Sequence, residues 1–456
     1  MDVFGRLLRF VAAPLLALAV PLAASAQEGC PGPCIRDAEI ETILREYSNP
    51  IFAAAGLKPD DVNIYLLNDP SMNAMSFGGQ NMAINTGLIA ESQTPEMLKG
   101  VIGHETGHIA LGHNVSRREA IAAGGNVSLI SMGLGVLAIA AGAPDAGMAL
   151  IGSAPQFGLL TAFKFTRVEE SAADQAGMTY MEKTGQSANG LVAFMEKFRY
   201  QELMSEARRE QYFRVHPVST DRVGVMRARA AEITAKAKPQ SEKDIADLAI
   251  MKAKLVGFLQ PAARVYSKYP KTDTSVPARY ARAIAAYRAV DIKAALTETQ
   301  SLIDEFPDNP YYHELYGQIL FENGKIQDSI PHHRKSVELA PHQALLKVNL
   351  ARSLLEAGGE ENLKEAEGLL VDAIAQEKGN AFAWNTLAKC YGKMNRVGDA
   401  DLATAEEAYS IGDTQRAFIF AKRASTKLDP STPNGRRASD ISAIADPRVT
   451  GAGRRG

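Results

Sequence analysis

The chain has 456 residues, 46% of them hydrophobic and 22% charged, a composition that fits two or three folded domains and excludes wholesale disorder. Its 50 basic and 52 acidic side chains leave a formal net charge of −2, so nothing global draws it to nucleic acid. Three cysteines are too few for a disulfide scaffold.

In chain order, residues 1–26 read as a secretory signal. Arg6 and Arg9 precede an apolar run from Phe10 to Leu22, and Ala24-Ser25-Ala26 has the small-residue spacing of a cleavage site. Cleavage before Gln27 leaves a short segment, 27–36, where export permits a disulfide between Cys30 and Cys34. Cys390, beside Leu387, Ala388 and Tyr391, reads as a buried core thiol. Asp37 to Ala55 looks helical. Val62–Leu67 and Met82–Asn85 read as short strands, with Gly78-Gly79 supplying a turn between them. The strand at 82–85 is expected to offer a free edge. Thr94-Pro95-Glu96 then opens a helix, with a capping hydroxyl, a proline at the first helical position and an acid in the first turn.

That helix carries Gly103-His104-Glu105-Thr106-Gly107-His108. Residues four apart share a helical face, so His104 and His108 can grip one cation while Glu105 reaches a water beside it. Two imidazoles and a carboxylate suit Zn2+, which takes a third protein ligand in catalytic sites. The candidate is Glu170, with Asp174 four residues on and placed to accept a hydrogen bond from a ligand imidazole. His113 lies five residues beyond His108, where the helical face has turned away, and reads as a helix C-terminal residue after Gly112.

Between these motifs, residues 120–144 and 146–163 contain no charge, and Asp145 separates them. A single membrane crossing would put His104 and Glu170 on opposite sides, so the two runs form a hairpin or neither spans. The favoured expectation is a glycine-rich flap that covers the cleft or touches a membrane surface. A buried helical pair and a spanning hairpin stay open.

From about 275 the chain repeats. Ala283, Gly317, Ala351 and Ala388 recur at packing positions, and Gly324 and Gly358 follow seven residues after two of them. Trp384, Leu387, Ala388 and Tyr391 fit tetratricopeptide spacing. Such helix pairs stack into a solenoid with a concave surface. His313, His332, His333 and His342 fall in the repeats and are expected on the solvated surface. The expected fold is an α+β zincin-type metalloprotease domain over 37–235, mostly helical with a small sheet, followed by an all-α tetratricopeptide solenoid. The boundaries are a helical linker at 236–274, repeats at 275–430 and a flexible tail at 431–456.

The HETGH motif, the Glu170-x3-Asp174 pair, His216-Pro217 with Arg222, and the stretch from Asn73 to Ile89 together resemble metallopeptidase family forty-eight. That family includes the CAAX prenyl endopeptidases and the periplasmic BepA-type proteases, and the signal segment with the repeats points to the latter branch. Met75 stands where relatives usually carry Phe. The resemblance implies a gluzincin-type metalloendopeptidase with His104, His108 and Glu170 as zinc ligands, Glu105 as general base and Asp174 as supporting acid. It also implies that His216 takes the fourth zinc position at rest or binds the oxyanion, and that Arg222 orients that loop; spacing alone does not send His216 to the metal. The implied activity is hydrolysis of unfolded or misassembled envelope proteins in the periplasm. The repeats would recruit substrates or the outer-membrane assembly machinery, with membrane-surface contact at 120–163. The alternative is a latent protease acting mainly as a chaperone or assembly adaptor, plugged by His216.

Overall fold

The computed structural model describes residues 30–113, 129–139, 143–163, 167–198, 212, 216, 218 and 220–450. The signal segment 1–26, Gln27, Pro217, part of the apolar insert and the last six residues of the expected tail lie outside them.

Asp37 caps helix α1 (Ala38–Ala54) by accepting from the Ile40 N–H, and Glu39 and Glu41 favour its first turn. Its buried stripe of Ile40, Ile43, Leu44, Tyr47, Ile51 and Phe52 faces the core. Four strands follow the order β1-β2-β4-β3: β1 (Cys34–Ile35), β2 (Asn63–Leu67), β3 (Ala74–Phe77) and β4 (Asn81–Asn85). β2 and β4 run parallel from Asn63↔Asn81 to Leu67↔Asn85, whereas β3 is antiparallel to β4. The expected free edge at 82–85 is therefore wrong, since β4 is paired on both sides. Gly78 and Gly79, at φ 26° and 80°, fold the preceding residues back as β3, and β3 is the edge. Cys30 and Cys34 are joined by a disulfide at the opposite end of the sheet.

Helix α2 (Thr86–Glu91) leads to α3 (Pro95–Ala110), capped by the Thr94 hydroxyl with Pro95 in the first turn, as expected. Two glycines of α3, and one on a facing helix, let other backbones approach it. A Cβ at Gly100 would lie 2.6 Å from the Leu191 nitrogen, in the helix Asn189–Phe198. One at Gly107 would lie 2.7 Å from the Ala173 carbonyl oxygen, and one at Gly177 would lie 2.9 Å from the backbone of Gly103 and His104. Ala173 and Gly177 belong to the helix Arg167–Lys183. A seam of small residues thus lays that helix directly on α3.

In the insert, helical residues 129–139 cross the helix Pro144–Phe163 where Gly135 and Gly147 meet backbone to backbone. Leu129, Ile130, Leu134, Val136, Leu137, Ile139 and Met148 are exposed, so a plain buried pair is not what forms. No helix among the described residues is long and apolar enough to cross a membrane.

The remainder is a solenoid of helix pairs, from Glu242–Leu259 to Pro433–Ile444. Val290, Gly324, Gly358 and Asn395 all have positive φ, each seven residues after Ala283, Gly317, Ala351 and Ala388. That shared offset fixes the repeat register. The segment 236–274 is helical, and Met251, Ala253 and Leu255 are buried at the junction between the sheet-bearing domain and the repeats. Two expectations need correction. The tail is folded as far as its helix Pro433–Ile444, which Thr432 caps and which buries Ala438 and Ile441 against Ala417, Ala421 and Ala424. A last helix covering the apolar face of its neighbour is what a solenoid end requires. Among the repeat histidines only His342 is exposed. His313 Nε2 donates to the Pro307 carbonyl, His332 stacks on Tyr316, and His333 is buried over Gly317 with Nδ1 2.8 Å from the Ser353 hydroxyl. A missing Cβ at Gly317 makes the space that His333 fills. Cys390 is buried, as expected, and burial pushes its thiol up to about 11.

Candidate metal centre

Residues from three elements and one further turn converge behind β3. His104, Glu105 and His108 come from α3, and Glu170 and Asp174 from the helix held against it by the glycine seam. Arg222 comes from the helix Thr220–Thr234, and His216 is brought in from the turn before it. His104, His108, Glu170 and His216 each offer one ligand atom within 4.8 Å of the others, and all four are fully buried. His104 Nε2 lies 3.2 Å from His108 Nε2 and 3.4 Å from His216 Nδ1. Glu170 oxygens lie 3.6 Å from His104 Nε2, 3.4 Å from His108 Nε2 and 2.8 Å from His216 Nδ1. Ligands about 2.0–2.2 Å from a tetrahedral zinc stand roughly 3.3–3.6 Å apart. His104, His108 and Glu170 fit that ion in chemistry and stand close to that spacing, whereas His216 Nδ1, 2.8 Å from Glu170, is in direct hydrogen-bond contact with the carboxylate.

The surrounding charges explain why a carboxylate survives in a dry site. Burial alone would raise the Glu170 carboxyl, but His216, His108 and Arg222 hold it well below its ordinary range. Arg222 Nη2 is 2.9 Å from Glu170 and also forks onto Asp174. Asp174 in turn lies 2.9 Å from His104 Nδ1. Burial would lower the His104 imidazole, yet the bond to Asp174 keeps it raised. For His108 burial outweighs the hydrogen bond to Glu170 and pushes the imidazole down to about 4. Its outer nitrogen meets His113 instead, Nδ1 to Nδ1 at 2.9 Å.

His113 lies just past the helix end and outside the ligand group, yet it meets His108. The helix ends at Ala110, and Gly112 at φ 73° turns the chain so that His113 swings back against His108. The signal was available in Gly112, because a left-handed glycine after a helix redirects the next side chain. Beyond that, the structure brings together every residue singled out in the sequence: Glu105, Asp174, Arg222, His104, His108, Glu170 and His216. Glu105 accepts the Ser76 N–H of edge strand β3 at 2.8 Å, and its other oxygen is 3.6 Å from His216 Nε2.

Residues 35–230 match the model of peptidase family M48. This segment is similar to peptidase family M48. The chain as a whole is 24% identical over 404 residues to the beta-barrel assembly-enhancing protease of Escherichia coli K12, covering 87% of this chain and 81% of that one. It is 27% identical over 173 residues to metalloprotease YcaL of the same organism, covering 38% of this chain and 63% of that one. Among solved structures, the tetratricopeptide protein YrrB is similar at 19% identity and a TM-score of 0.32, covering 40% of this chain and 94% of that one. The match to the family model ends within the helix Thr220–Thr234, before the helix Glu242–Leu259.

Proposed function

We propose that the chain is a zinc endopeptidase of the periplasm that cuts unfolded or misassembled envelope proteins. The observation carrying this reading is the buried set His104, His108, Glu170 and His216 with Glu105 beside it. His104, His108 and Glu170 would hold the ion, and His216 would take the fourth place at rest. Zinc, when bound, supplies a Lewis acid and a water acidic enough to ionise near neutral pH. Glu105 Oε1 has no hydrogen-bond partner among the described residues, while Ser76 pins Oε2, so one oxygen is fixed and the other is available to take a proton. The same carboxyl then delivers that proton to the leaving amine, work typically worth about 10²–10⁴-fold. Asp174 keeps the His104 Nδ1 proton on the outer side, aiming Nε2 inward. Substrate would add to β3 as an extended strand, which a folded helix cannot do.

Similarity to proteins named as beta-barrel assembly-enhancing proteases supports a role in outer-membrane assembly, with the solenoid recruiting substrate or partner. The exposed apolar hairpin would contact membrane surface or unfolded chain. The test is zinc content and casein cleavage by the mature protein. Wild type should hold one zinc, and Glu105→Gln should keep the zinc and lose cleavage; a zinc-free protein, or an undiminished Glu105→Gln, defeats the reading.

One observation favours a latent form, in which the chain acts mainly as a chaperone or adaptor: His216 Nδ1 already sits in the ligand set. Faster cleavage by His216→Ala would identify a plug, and slower cleavage an oxyanion partner. Retention of the cellular role by Glu105→Gln would support the chaperone reading.

A further inference from the structure

His216 contributes to the metal centre from outside the helices that carry the other donors, so something must hold its ring in place. Its backbone N–H donates to the Tyr212 carbonyl at 2.8 Å, and its imidazole stacks on the Tyr212 ring with centroids 4.6 Å apart and planes at 20°. Tyr212 is itself buried in a box. Phe194 meets it edge-on at 4.7 Å and Phe198 lies 5.2 Å away. Its hydroxyl is directed to the Met195 sulfur at 3.8 Å. Phe194, Met195 and Phe198 all belong to the helix Asn189–Phe198, which Gly100 and Gly190 allow to lie directly on α3. The ring of His216 is therefore referenced, through Tyr212, to the helix that carries His104 and His108.

We propose that Tyr212 is the positioning residue for His216, an aromatic clamp that sets how firmly that histidine occupies its place at the metal. This rests on the reading that His216 takes such a place. The hydroxyl is directed to the Met195 sulfur, so the ring face does the holding. A typical aromatic pair shifts an equilibrium by roughly two- to thirteenfold, which is the scale expected here. The clamp also explains the cluster of Phe194, Phe198 and Tyr212 beside a polar site: aromatic faces exclude water there while giving the imidazole a flat support.

The test uses the full mature chain with Tyr212→Phe, Tyr212→Leu, Phe194→Leu, His216→Ala and the double variant Tyr212→Leu/His216→Ala. In the metal-free protein, the rate of His216 carbethoxylation by diethyl pyrocarbonate is followed by mass spectrometry. Tyr212→Phe should match wild type, whereas Tyr212→Leu should react about three- to tenfold faster. Phe194→Leu loosens the box without touching His216 and should move the rate the same way by less; it also carries the test if Tyr212→Leu does not fold. With cobalt in place of zinc, the visible spectrum of Tyr212→Leu should shift toward that of His216→Ala. Casein turnover should change in the same direction as in His216→Ala, with no further change in the double variant. Unchanged His216 reactivity in both leucine variants, or a Tyr212→Phe as impaired as Tyr212→Leu, overturns the clamp. A His216→Ala that alters neither the cobalt spectrum nor turnover instead overturns the fourth-position reading, while the carbethoxylation rates still judge the clamp.

Discussion

Gly107 lies inside the His-Glu-x-x-His motif, and its replacement by alanine isolates the packing that builds the site. In a free helix the change would be favourable by about 1 kcal/mol, since glycine is a poor helix former. Here the new methyl would lie 2.7 Å from the Ala173 carbonyl oxygen and 3.0 Å from its Cα, which are backbone atoms that no rotamer can move. The helix Arg167–Lys183 must retreat by about 0.7 Å to reach ordinary contact. Overpacking of this kind costs about 1–3 kcal/mol, so the fold should lose up to about 2 kcal/mol net. The larger effect falls on the metal. Ala173 lies between Glu170 and Asp174, and both would move with the helix away from His104 and His108. Zinc affinity, measured by chelator competition, should fall on the order of 10–100-fold. Gly368→Ala is the matched control, because nothing lies within 4 Å of a Cβ at Gly368 in the helix Glu360–Gln376. It should raise the melting temperature and leave zinc binding alone. If Gly107→Ala behaves like Gly368→Ala on both counts, the seam does not set the site.

His113→Ala removes the imidazole 2.9 Å from His108 Nδ1 and should weaken zinc about tenfold while leaving the thermal midpoint of the apoprotein nearly unchanged; equal affinity in the two proteins would show that His113 does not support the centre. Val290→Gly should stabilise the protein by about 1 kcal/mol in guanidinium unfolding, because a β-branched residue at φ 62° pays a left-handed penalty that glycine avoids; a loss of stability would contradict this. His333 is buried and its pKa is lowered to about 3 by burial and by the Arg352 and His332 charges. The native state therefore binds fewer protons there than the unfolded chain, so this histidine favours folding above about 6.5 and loses that advantage as pH falls toward about 3. His333→Gln in the metal-free protein should shrink the loss of stability between pH 7.5 and pH 4.5 by about 3 kcal/mol, and an unaltered pH profile would refute the assignment.

Local chemistry made much of this molecule legible. Thr94 announces its helix through a side-chain hydrogen bond that acts within one turn and Pro95 through its fixed φ, and the structure uses both as read. The face-sharing of His104 with His108, and of Glu170 with Asp174, follows from the helical period alone. What spacing could not provide was the contact between those two helices. That contact depends on Gly103 and Gly107 meeting Ala173 and Gly177, which is a long-range match of small residues. Strand β3 escaped because the place of Ala74–Phe77 at the edge is set by the Gly78-Gly79 turn rather than by its own composition. The repeat histidines were misjudged for a related reason. His333 looks like a surface residue until Gly317, sixteen positions earlier, leaves it a space.

The junction bears on how the solenoid could serve the protease. One hydrophobic core runs without interruption from Ile35 in β1 to Ile319 in the repeats. Within it, Lys254 of the junction helix is 2.8 Å from Asp37 and 3.1 Å from Glu39, and the Tyr280 hydroxyl donates to Glu39 at 2.9 Å. Tyr47 donates to the Asp244 carbonyl at 2.6 Å, and Arg36 reaches Glu377, far along the repeats, at 2.9 Å. Lys254 and Glu39 are both almost fully buried, and breaking such a pair by withdrawing one partner typically costs about 3–5 kcal/mol. A swinging solenoid would have to strand these charges and expose the shared core together. Substrate gripped by the repeats would then be presented at a fixed distance from Glu105, and only a chain segment slack enough to cover that distance as an extended strand could lie along β3. Selection for unfolded chain would arise from that rigid geometry as well as from the cleft.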